Sequence, residues 1–553
     1  MNVQNRNKDG NKNKLPLIIG AIVLFVIIAV ILAILLSKCG DGKDETGASA
    51  SSGPVTDTSG SGAVSGAASA DPDEKPVHVH AFGDWTVLSE PDCLTPGSRE
   101  RTCSECGGKQ TEEISPLGHD VHNNECVRCG KKAELESFTL KTDRENPDAV
   151  MVEQCFATGP DVLIPDVFDG KPVVRVRYES FAGNENVKYV SIPDSVVVVE
   201  SWALAYMPNL EFVRIGKNVA DLDRTFRFYT DNLRRMYVEP GNERYHSYCN
   251  CIIETADKAL ISGCGGSVLP DDGSVTVIAN GAFSNVKNLT GLAVPGTVTK
   301  FEDYSMNNCE GLLSLYLPDS VVEIGDYAFE GCKGLRSLRL PAKIEKYGVG
   351  WFRGCESLKE VVFPDAVTDT GVSCFEDCTS LESVGLPEGI ERIGNYTFRN
   401  CTALENVVLP QSLTKLGDAF AGCTELRKLV IPDGVEAPGV SVISHCSSLT
   451  EIVLPKDMTS IPYHFFGDCS SLESVVLPDK VTQIEYNAFM RCTNLKSVVF
   501  PASLRYIQYD IFEDCPSLET VYYAGSEKDW SSISINSSNE ILNKARIVYN
   551  YKG

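Results

Sequence analysis

A 23-residue repeat runs through the second half of the chain and limits its fold more than any other feature. Proline and cysteine each recur ten times at this spacing, with a single interval of 22 residues in each series. A phenylalanine column keeps the same period, with Met306 and Ile443 at two of its positions. The aligned residues are Pro295, Pro318, Pro341, Pro364, Pro387, Pro410, Pro432, Pro455, Pro478 and Pro501, and Cys309, Cys332, Cys355, Cys378, Cys401, Cys423, Cys446, Cys469, Cys492 and Cys515.

One repeat unit can be interpreted as a short strand with an apolar side. In residues 335–341, Leu338 and Leu340 alternate toward one face, and Pro341 ends the strand because it has no N–H for a ladder. Ile324 and Phe329 of the preceding unit supply apolar groups from the opposite wall. A single unit cannot bury these groups, whereas stacked units can. A fixed period of 20–29 residues with leucine at set positions predicts a β-rich leucine-rich-repeat solenoid.

The repeat unit L-x-x-[VL]-x-[LF]-P-x-x-[VI]-x-x-I-x-x-x-x-F-x-x-C resembles the BspA-like leucine-rich repeats of bacterial surface proteins. Residues 238–261 resemble an insertion common in that family, and residues 521–530 resemble its closing segment. The resemblance covers roughly residues 160–550, although Asn184, Met207 and Val286 stand where later units have cysteine. It implies a solenoid at the cell surface, over residues 133–523 with an insertion at about 241–269, then a closing segment over residues 524–553. It also implies adhesion or the binding of host and matrix proteins.

The cysteine column is predicted to be free and buried. Aligned side chains on successive turns lie about 4.8 Å apart and parallel, whereas a disulfide needs Cβ atoms about 3.8 Å apart that face each other. A buried cysteine acts as a small apolar side chain. We therefore expect these thiols to fill the turn before each strand.

The N-terminal region predicts a membrane anchor. Residues 15–37 are apolar and uncharged, and as a helix they would be about 34 Å long, enough to cross a bilayer core. Four basic residues precede this segment, which predicts a cytoplasmic tail over residues 1–14 and an extracellular location for the rest. Residues 38–77 are rich in Gly, Ser, Ala and Thr, which predicts a disordered linker.

A thiol-rich module is predicted over residues 78–132. Two Cys-x2-Cys-Gly motifs lie 19 residues apart, the spacing of a structural zinc site of the zinc-ribbon type. Its four predicted ligands are Cys103, Cys106, Cys126 and Cys129. The module has few large apolar residues, so it needs such a cross-link to fold.

Two alternatives remain for these residues. In one, the segment is two shortened copies of a Cys/His unit, and His80, Cys93 or His119 replaces one of the four ligands. In the other, the cysteines form disulfides, because the module is expected outside the membrane, where thiols oxidise.

Two rows of side chains are candidate ligand-binding surfaces on the solenoid. A valine row, interrupted by Arg339 and Gly385, lies at the exposed strand position between the last two inward residues. A tyrosine row precedes the phenylalanine column in the last three units. Both have a simpler interpretation, since valine favours strands and tyrosine packs in loops. The residues are Val362, Val408, Val430, Val453, Val476 and Val499, and Tyr463, Tyr486 and Tyr509.

Charge and composition exclude some functions. The formal net charge of −25 argues against nucleic-acid binding, which needs a basic face. Outside the module the histidines are too scattered to indicate a nucleophile with a base, and no phosphate-binding loop is present. The sequence therefore predicts a non-enzymatic, membrane-anchored surface protein that binds a protein or glycan partner. The alternatives are a structural scaffold of the cell envelope and, less favoured, an envelope enzyme.

Overall fold

The computed structural model describes residues 82–104, 107–114, 116–222, 230–435 and 437–552. The chain forms two compact units, of which the first ends at Leu117 and the second begins at Gly118. The predicted tail, membrane segment and linker (residues 1–77) lie outside the described residues, as do His80 and Cys106. Within the described ranges, no helix has the length and apolar character needed to cross a membrane.

The described part of the first unit contains one antiparallel sheet in which β2 lies between β1 and β3. Its strands are β1 (Thr86–Ser89), β2 (Gly97–Thr102) and β3 (Lys109–Ile114). Arg99 and Arg101 of β2 place their guanidinium groups over the ring of Trp85, at 4.7 and 4.6 Å from its centroid.

The second unit begins with a short hairpin and continues as a long series of strands that pair mostly in parallel. Its early elements are β4 (Val121–His122), β5 (Glu125–Cys126), a 3₁₀ turn (Leu135–Ser137), β6 (Phe138–Thr142), β7 (Val150–Cys155), β8 (Asp161–Leu163), β9 (Val167–Phe168), β10 (Lys171–Val176), β11 (Tyr189–Ser191), β12 (Val198–Val199), β13 (Phe212–Ile215), β14 (Arg235–Val238), β15 (Tyr245–Tyr248), β16 (Cys251–Glu254) and β17 (Ala259–Ser262).

The regular repeats supply the remaining elements, which are short strands and two helical segments near the C-terminus. They are β18 (Val277–Ile278), β19 (Lys300–Phe301), β20 (Ser314–Tyr316), β21 (Glu323–Ile324), β22 (Ser337–Arg339), β23 (Lys346–Tyr347), β24 (Glu360–Val362), β25 (Ser383–Gly385), β26 (Arg392–Ile393), β27 (Lys415–Leu416), β28 (Lys428–Val430), β29 (Glu451–Val453), β30 (Ser460–Ile461), β31 (Ser474–Val476), β32 (Gln483–Ile484), β33 (Ser497–Phe500), β34 (Tyr506–Ile507), β35 (Thr520–Tyr523), α1 (Glu527–Trp530), β36 (Ser534–Ile535), α2 (Glu540–Lys544) and β37 (Arg546–Val548).

These strands form two walls of a β-solenoid, as the repeat predicts. In one wall Ser337 of β22 pairs with Ser314 of β20, and in the other Glu323 of β21 pairs with Lys300 of β19. Both pairs are parallel and join residues one repeat apart. The sequence period therefore equals one turn, and every column of the sequence becomes a row along the solenoid.

The core lies between the two walls and is built from the aligned apolar columns. Stacked phenylalanines run through it; for example, the ring centroids of Phe329 and Phe352 are 4.9 Å apart and those of Phe466 and Phe489 are 4.8 Å apart. Leu335 and Leu340 are buried, whereas Leu338 is only half-buried. Because no single turn encloses this core, its stability depends on contacts between neighbouring turns.

The region predicted as an insertion contains antiparallel pairing within the parallel series. Strands β15, β16 and β17 pair antiparallel in order, and β17 then pairs in parallel with β18. Along β16, Ile252 packs into the core of the earlier turns and Ile253 into the core of the later repeats. Successive side chains of a strand point to opposite faces, so β16 contributes to both cores.

The ten column cysteines are buried free thiols, which confirms the prediction. The structure adds a contact that was not predicted. Each Sγ lies 2.9–3.6 Å from a main-chain carbonyl oxygen of the preceding turn, at a phenylalanine-column position. The thiols therefore hydrogen-bond successive turns together in addition to filling space.

Candidate metal centre and exposed surfaces

The segment from Gly118 to Lys132 holds His119, Cys126 and Cys129, three potential metal ligands that lie close together. Its hairpin of β4 and β5 turns through Asn123 and Asn124, which have φ of 52° and 59°. This left-handed two-residue turn favours asparagine and glycine. Both turn N–H groups donate hydrogen bonds to the carboxylate of Asp166, at 2.9 and 2.7 Å, so the hairpin is fixed to the solenoid.

The second Cys-x2-Cys-Gly motif forms a tight turn after β5. The N–H of Gly130 donates a hydrogen bond to the carbonyl oxygen of Cys126, at 2.8 Å. Gly130 has φ of 75°, in the left-handed region where glycine is preferred. This turn holds the thiols of Cys126 and Cys129 on one side of the loop. In the first unit, Gly107 forms the same turn, with a hydrogen bond of 3.0 Å to the carbonyl oxygen of Cys103.

His119 completes the group of ligands in this segment. The ligand atoms of His119, Cys126 and Cys129 all lie within 4.8 Å of one another. The Nδ1 atom of His119 is 3.3 Å from Cys129 Sγ, and its Nε2 atom is 2.9 Å from Asp161 Oδ2. One ring nitrogen thus faces the thiols and the other a carboxylate. In metal sites, a carboxylate in this position fixes the histidine tautomer and ring orientation.

Electrostatics in this group favour an ionised thiol. Burial alone would raise the pKa of Cys126, but hydrogen bonds from the Cys129 N–H, the His119 ring and the Arg128 N–H lower it to about 6. Burial would lower the pKa of His119, and the hydrogen bond and charge of Asp161 raise it instead. The thiolate is the form that binds a metal ion, so this Cys/His group is suited to hold one.

The predicted four-cysteine ligand set is only partly present in this group. Cys126 and Cys129 are in it, Cys106 lies outside the described residues, and Cys103 belongs to neither group of metal-ligand residues in the described ranges. Cys103 and Cys93 are buried cysteines of the first unit. The four-cysteine site therefore stays a prediction. His119 belongs to the alternative ligand set, in which a histidine or Cys93 replaces one of the four cysteines.

A second group of potential ligands, Asp120, His122 and Asp194, lies on the surface of the second unit. Basic side chains already neutralise its carboxylates. Lys217 Nζ is 3.2 Å from Asp194, and the guanidinium of Arg214 is 3.4 Å from Asp120. Because these carboxylates have cationic partners, this group is poorly suited to bind a metal ion.

A buried arginine ties the same segment to the solenoid. The side chain of Arg214 is fully buried, and its Nη2 atom is 2.7 Å from Glu239 and 3.4 Å from Asp120. Its Nη1 atom also donates a hydrogen bond to the carbonyl oxygen of Ile192, at 3.3 Å. The guanidinium therefore bridges the segment after Gly118 and two turns of the solenoid.

The predicted valine row forms an exposed ribbon along one wall. Val430 and Val453 are register partners on parallel strands, as are Val476 and Val499. The exposed fractions are 59% for Val362, 81% for Val408, 41% for Val430, 45% for Val453 and 66% for Val476, and Val499 is half-buried. Tyr522 continues this valine ribbon as the register partner of Val499. Gly385 separates Val362 from the other members, as the register partner of Val362. Exposed apolar patches can mark interaction surfaces.

The predicted tyrosine row is also on the surface. The ring centroids of Tyr463 and Tyr486 are 4.3 Å apart and the rings are stacked. Tyr486 and Tyr509 are exposed, whereas Tyr463 is half-buried. Valine and tyrosine rows thus lie where a ligand can reach them, although the contacts alone assign them no function.

The repeat region matches the profile of a known protein family. A family profile described as "BspA type Leucine rich repeat region" matches residues 167–257, 268–381, 336–442 and 417–541. No curated protein matches the chain.

Several solved structures resemble the chain. One is a leucine-rich repeat protein from Bacteroides ovatus, with 22% identity, coverage of 75% of this chain and 98% of that one, and a TM-score of 0.46. Another is a leucine-rich cell surface protein from Faecalibacterium prausnitzii, with 19% identity, coverage of 72% and 97%, and a TM-score of 0.34. The pneumococcal vaccine antigen PcpA has 17% identity, coverage of 75% and 97%, and a TM-score of 0.40.

Proposed function

The chain belongs to the BspA-type leucine-rich repeat family, and from this premise we propose that it is a non-catalytic recognition protein of the cell surface. In this proposal the solenoid binds a protein or glycan partner. The observation that carries it is the valine ribbon, whose members expose between 41% and 81% of their surface at five positions. Large exposed apolar patches often mark sites of interaction with other molecules.

The regular geometry of the ribbon supports recognition. Parallel pairing holds Val430 beside Val453, and Val476 beside Val499, at one strand spacing of about 4.8 Å, on a wall that is fixed by the core beneath it. Side chains on such a wall lose little conformational freedom when a partner binds, which lowers the cost of association. The strand hydrogen bonds of Val430 and Val453 fix the backbone that presents them.

Attachment to the membrane is part of the proposal and is supported by the sequence. Residues 15–37 have the length and composition of a single spanning helix, and the basic residues before them favour a cytoplasmic N-terminus. The linker over residues 38–77 would then hold the folded units away from the bilayer.

We further propose that the Cys/His group binds a structural zinc ion. His119, Cys126 and Cys129 would supply three ligands of the nitrogen and sulfur type that zinc prefers. Cys103 and Cys106 stay the further ligands that the sequence predicts. A zinc ion would supply cross-linking of the chain there and would not act in a reaction.

The test of the proposed function is capture of a partner by the full chain in detergent. The full chain is exposed to extracellular-matrix proteins and, separately, to the envelope polymer of its own cell. The proposal expects saturable capture of a protein or glycan that is lost in the variant Val408→Asp and retained in the variant Lys456→Ala. Capture of the cell's own envelope polymer alone, unaffected by Val408→Asp, would instead favour a structural scaffold.

A further inference from the structure

A groove on the last repeats lies beside the tyrosine row. It has a volume of about 1020 Å³ and is open to solvent. One side is formed by the turns that contain His445, Asp468 and Arg491, and the other by the closing segment around Ile541 and Lys544. All of these residues belong to the second unit.

A row of hydroxyl groups lines the groove beside apolar side chains such as Phe512 and Ile541. This row consists of Thr424, Ser447, Ser470 and Thr493, which directly follow four of the column cysteines. The hydroxyls of Thr424, Ser447 and Ser470 each donate a hydrogen bond of 3.3 Å to the carbonyl of the preceding turn. Each oxygen then keeps lone pairs that can accept hydrogen bonds from a ligand.

An ion-paired cluster of His445, Asp468 and Arg491 lines the groove. Asp468 Oδ1 lies 2.7 Å from Arg491 Nε, and Asp468 Oδ2 lies 3.2 Å from His445 Nδ1. His445 and Arg491 have φ of 59° and 58°, whereas the equivalent positions of the other units hold glycine, asparagine or aspartate. Arginine has no preference for this backbone conformation, so the side chain of Arg491 explains its presence there.

Two ring contacts connect the groove with the tyrosine row. The ring centroid of Tyr463 is 5.5 Å from that of His464, which is in turn 5.5 Å from that of His445 in the groove. At the other end, Tyr509 directly precedes Asp510, which lines the groove. Exposed aromatic rings thus lie next to a row of hydroxyl, carboxylate and guanidinium groups.

We propose that this surface, which we call the tyrosine groove, binds a neutral linear oligosaccharide. Sugar rings would pack their C–H faces on the exposed tyrosines, while their hydroxyl groups would hydrogen-bond to the groove. This inference rests on the proposed recognition function and names a ligand class for one site.

The charge of the groove separates neutral from anionic ligands. Its lining contains the carboxylates of Asp468, Asp510, Glu513, Asp514 and Glu540 but only two fixed cations, Arg491 and Lys544. An excess of negative charge repels an anionic polymer, whereas a carboxylate accepts hydrogen bonds from sugar hydroxyls at no such cost. An uncharged sugar chain therefore fits this lining better than an acidic one.

The test measures binding of defined sugars to the full chain by isothermal titration calorimetry. The probes are cellohexaose, laminarihexaose and chitohexaose, with a hyaluronan hexasaccharide as the anionic comparison. We expect at least one neutral hexasaccharide to bind, and the hyaluronan probe to bind at least tenfold more weakly. The variant Tyr486→Ala should lose at least tenfold in affinity, and Tyr486→Phe should retain the wild-type affinity because it keeps the ring.

The matched control is Tyr304→Ala. Tyr304 is also exposed and stacks on Tyr327, with centroids 5.4 Å apart, but it lies far along the chain from the groove. The proposal is overturned if none of the three neutral sugars binds, if hyaluronan binds equally well, or if Tyr304→Ala weakens binding as much as Tyr486→Ala. Partner capture that depends on Val408 would still support the proposed function in each of these cases, so the two failures can be distinguished.

Discussion

The thiol of Cys492 donates a hydrogen bond to the carbonyl oxygen of Phe466 in the preceding turn, with Sγ and O 3.0 Å apart. Cys515 repeats this contact with Phe489 at 2.9 Å. The carbonyl groups are buried with the thiols, so without this partner each would lose a hydrogen bond away from water. The cysteine column therefore connects successive turns through a row of sulfur–oxygen contacts.

Replacing one column cysteine should weaken the solenoid measurably. The variant Cys492→Ala removes a buried sulfur and its hydrogen bond, and we expect a loss of about 1–2 kcal/mol in the free energy of unfolding. Urea denaturation followed by circular dichroism measures this change. The control is Ser470→Ala, a half-buried neighbouring position, which should change the free energy by less than about 0.5 kcal/mol. Equal stability of Cys492→Ala and the wild type would contradict a structural role for the hydrogen bond.

The column thiols should resist chemical labelling. Burial raises the pKa of Cys423 to about 12, and it raises the pKa of Cys446 and Cys469 well above the ordinary value. A thiol reagent attacks the thiolate, which is scarce at pH 8 for such groups and is also shielded from the reagent. A bulky maleimide, with mass spectrometry of peptides, should leave all ten cysteines largely unmodified in the native chain.

Cys129 provides an internal positive control for that experiment. It is exposed, so it should react readily in chelator-treated protein. Rapid modification of the ten column cysteines without unfolding would show that the solenoid opens far more easily than its buried contacts imply.

Arg214 should be essential for the stability of the second unit. The variant Arg214→Met leaves the carboxylates of Glu239 and Asp120 without their buried partner, and we expect a cost of about 3–5 kcal/mol. Thermal denaturation measures it against Lys456→Ala, which breaks an exposed pair with Asp433 and should leave the melting temperature unchanged. A melting temperature for Arg214→Met within one degree of the wild type would refute the bridging role.

Asp161 should position the metal ligand His119. The variant Asp161→Asn keeps the shape of the side chain but removes its charge, and we expect about 10–100-fold weaker zinc binding. Competition with a chromogenic chelator measures the affinity, and Cys126→Ser should lose binding altogether. The control Asp194→Asn should bind zinc as the wild type does. Wild-type affinity in Asp161→Asn, or no stoichiometric zinc in the reduced wild type, would contradict the proposed centre.

Much of the fold could be predicted from the repeat because its columns encode one turn of the solenoid. The strand at residues 337–339, the buried cysteines and the exposed valines all follow from a single alternation repeated along the chain. Because the sequence is periodic, the structure predicted for one repeat unit applies to all the regular units.

The parts that could not be predicted depend on contacts between distant positions. His119 and Asp161 are 42 residues apart, and no spacing rule connects a histidine of the module with a carboxylate of the first turns. The thiol hydrogen bonds depend on main-chain carbonyl groups of the preceding turn, whose direction the repeat pattern does not show. The groove depends on the closing segment, which lies outside the repeat and forms one of its sides.

The most direct test of the recognition function measures how tightly the chain binds the partner found in the capture experiment, with and without an intact valine ribbon. The double variant Val408→Asp/Val476→Asp places charges at two highly exposed positions, where they should not disturb folding. Surface plasmon resonance with the wild-type chain, the double variant and Lys456→Ala compares their dissociation constants. The account predicts at least tenfold weaker binding for the double variant alone, at an unchanged melting temperature. Equal affinity of all three proteins for the partner would contradict it.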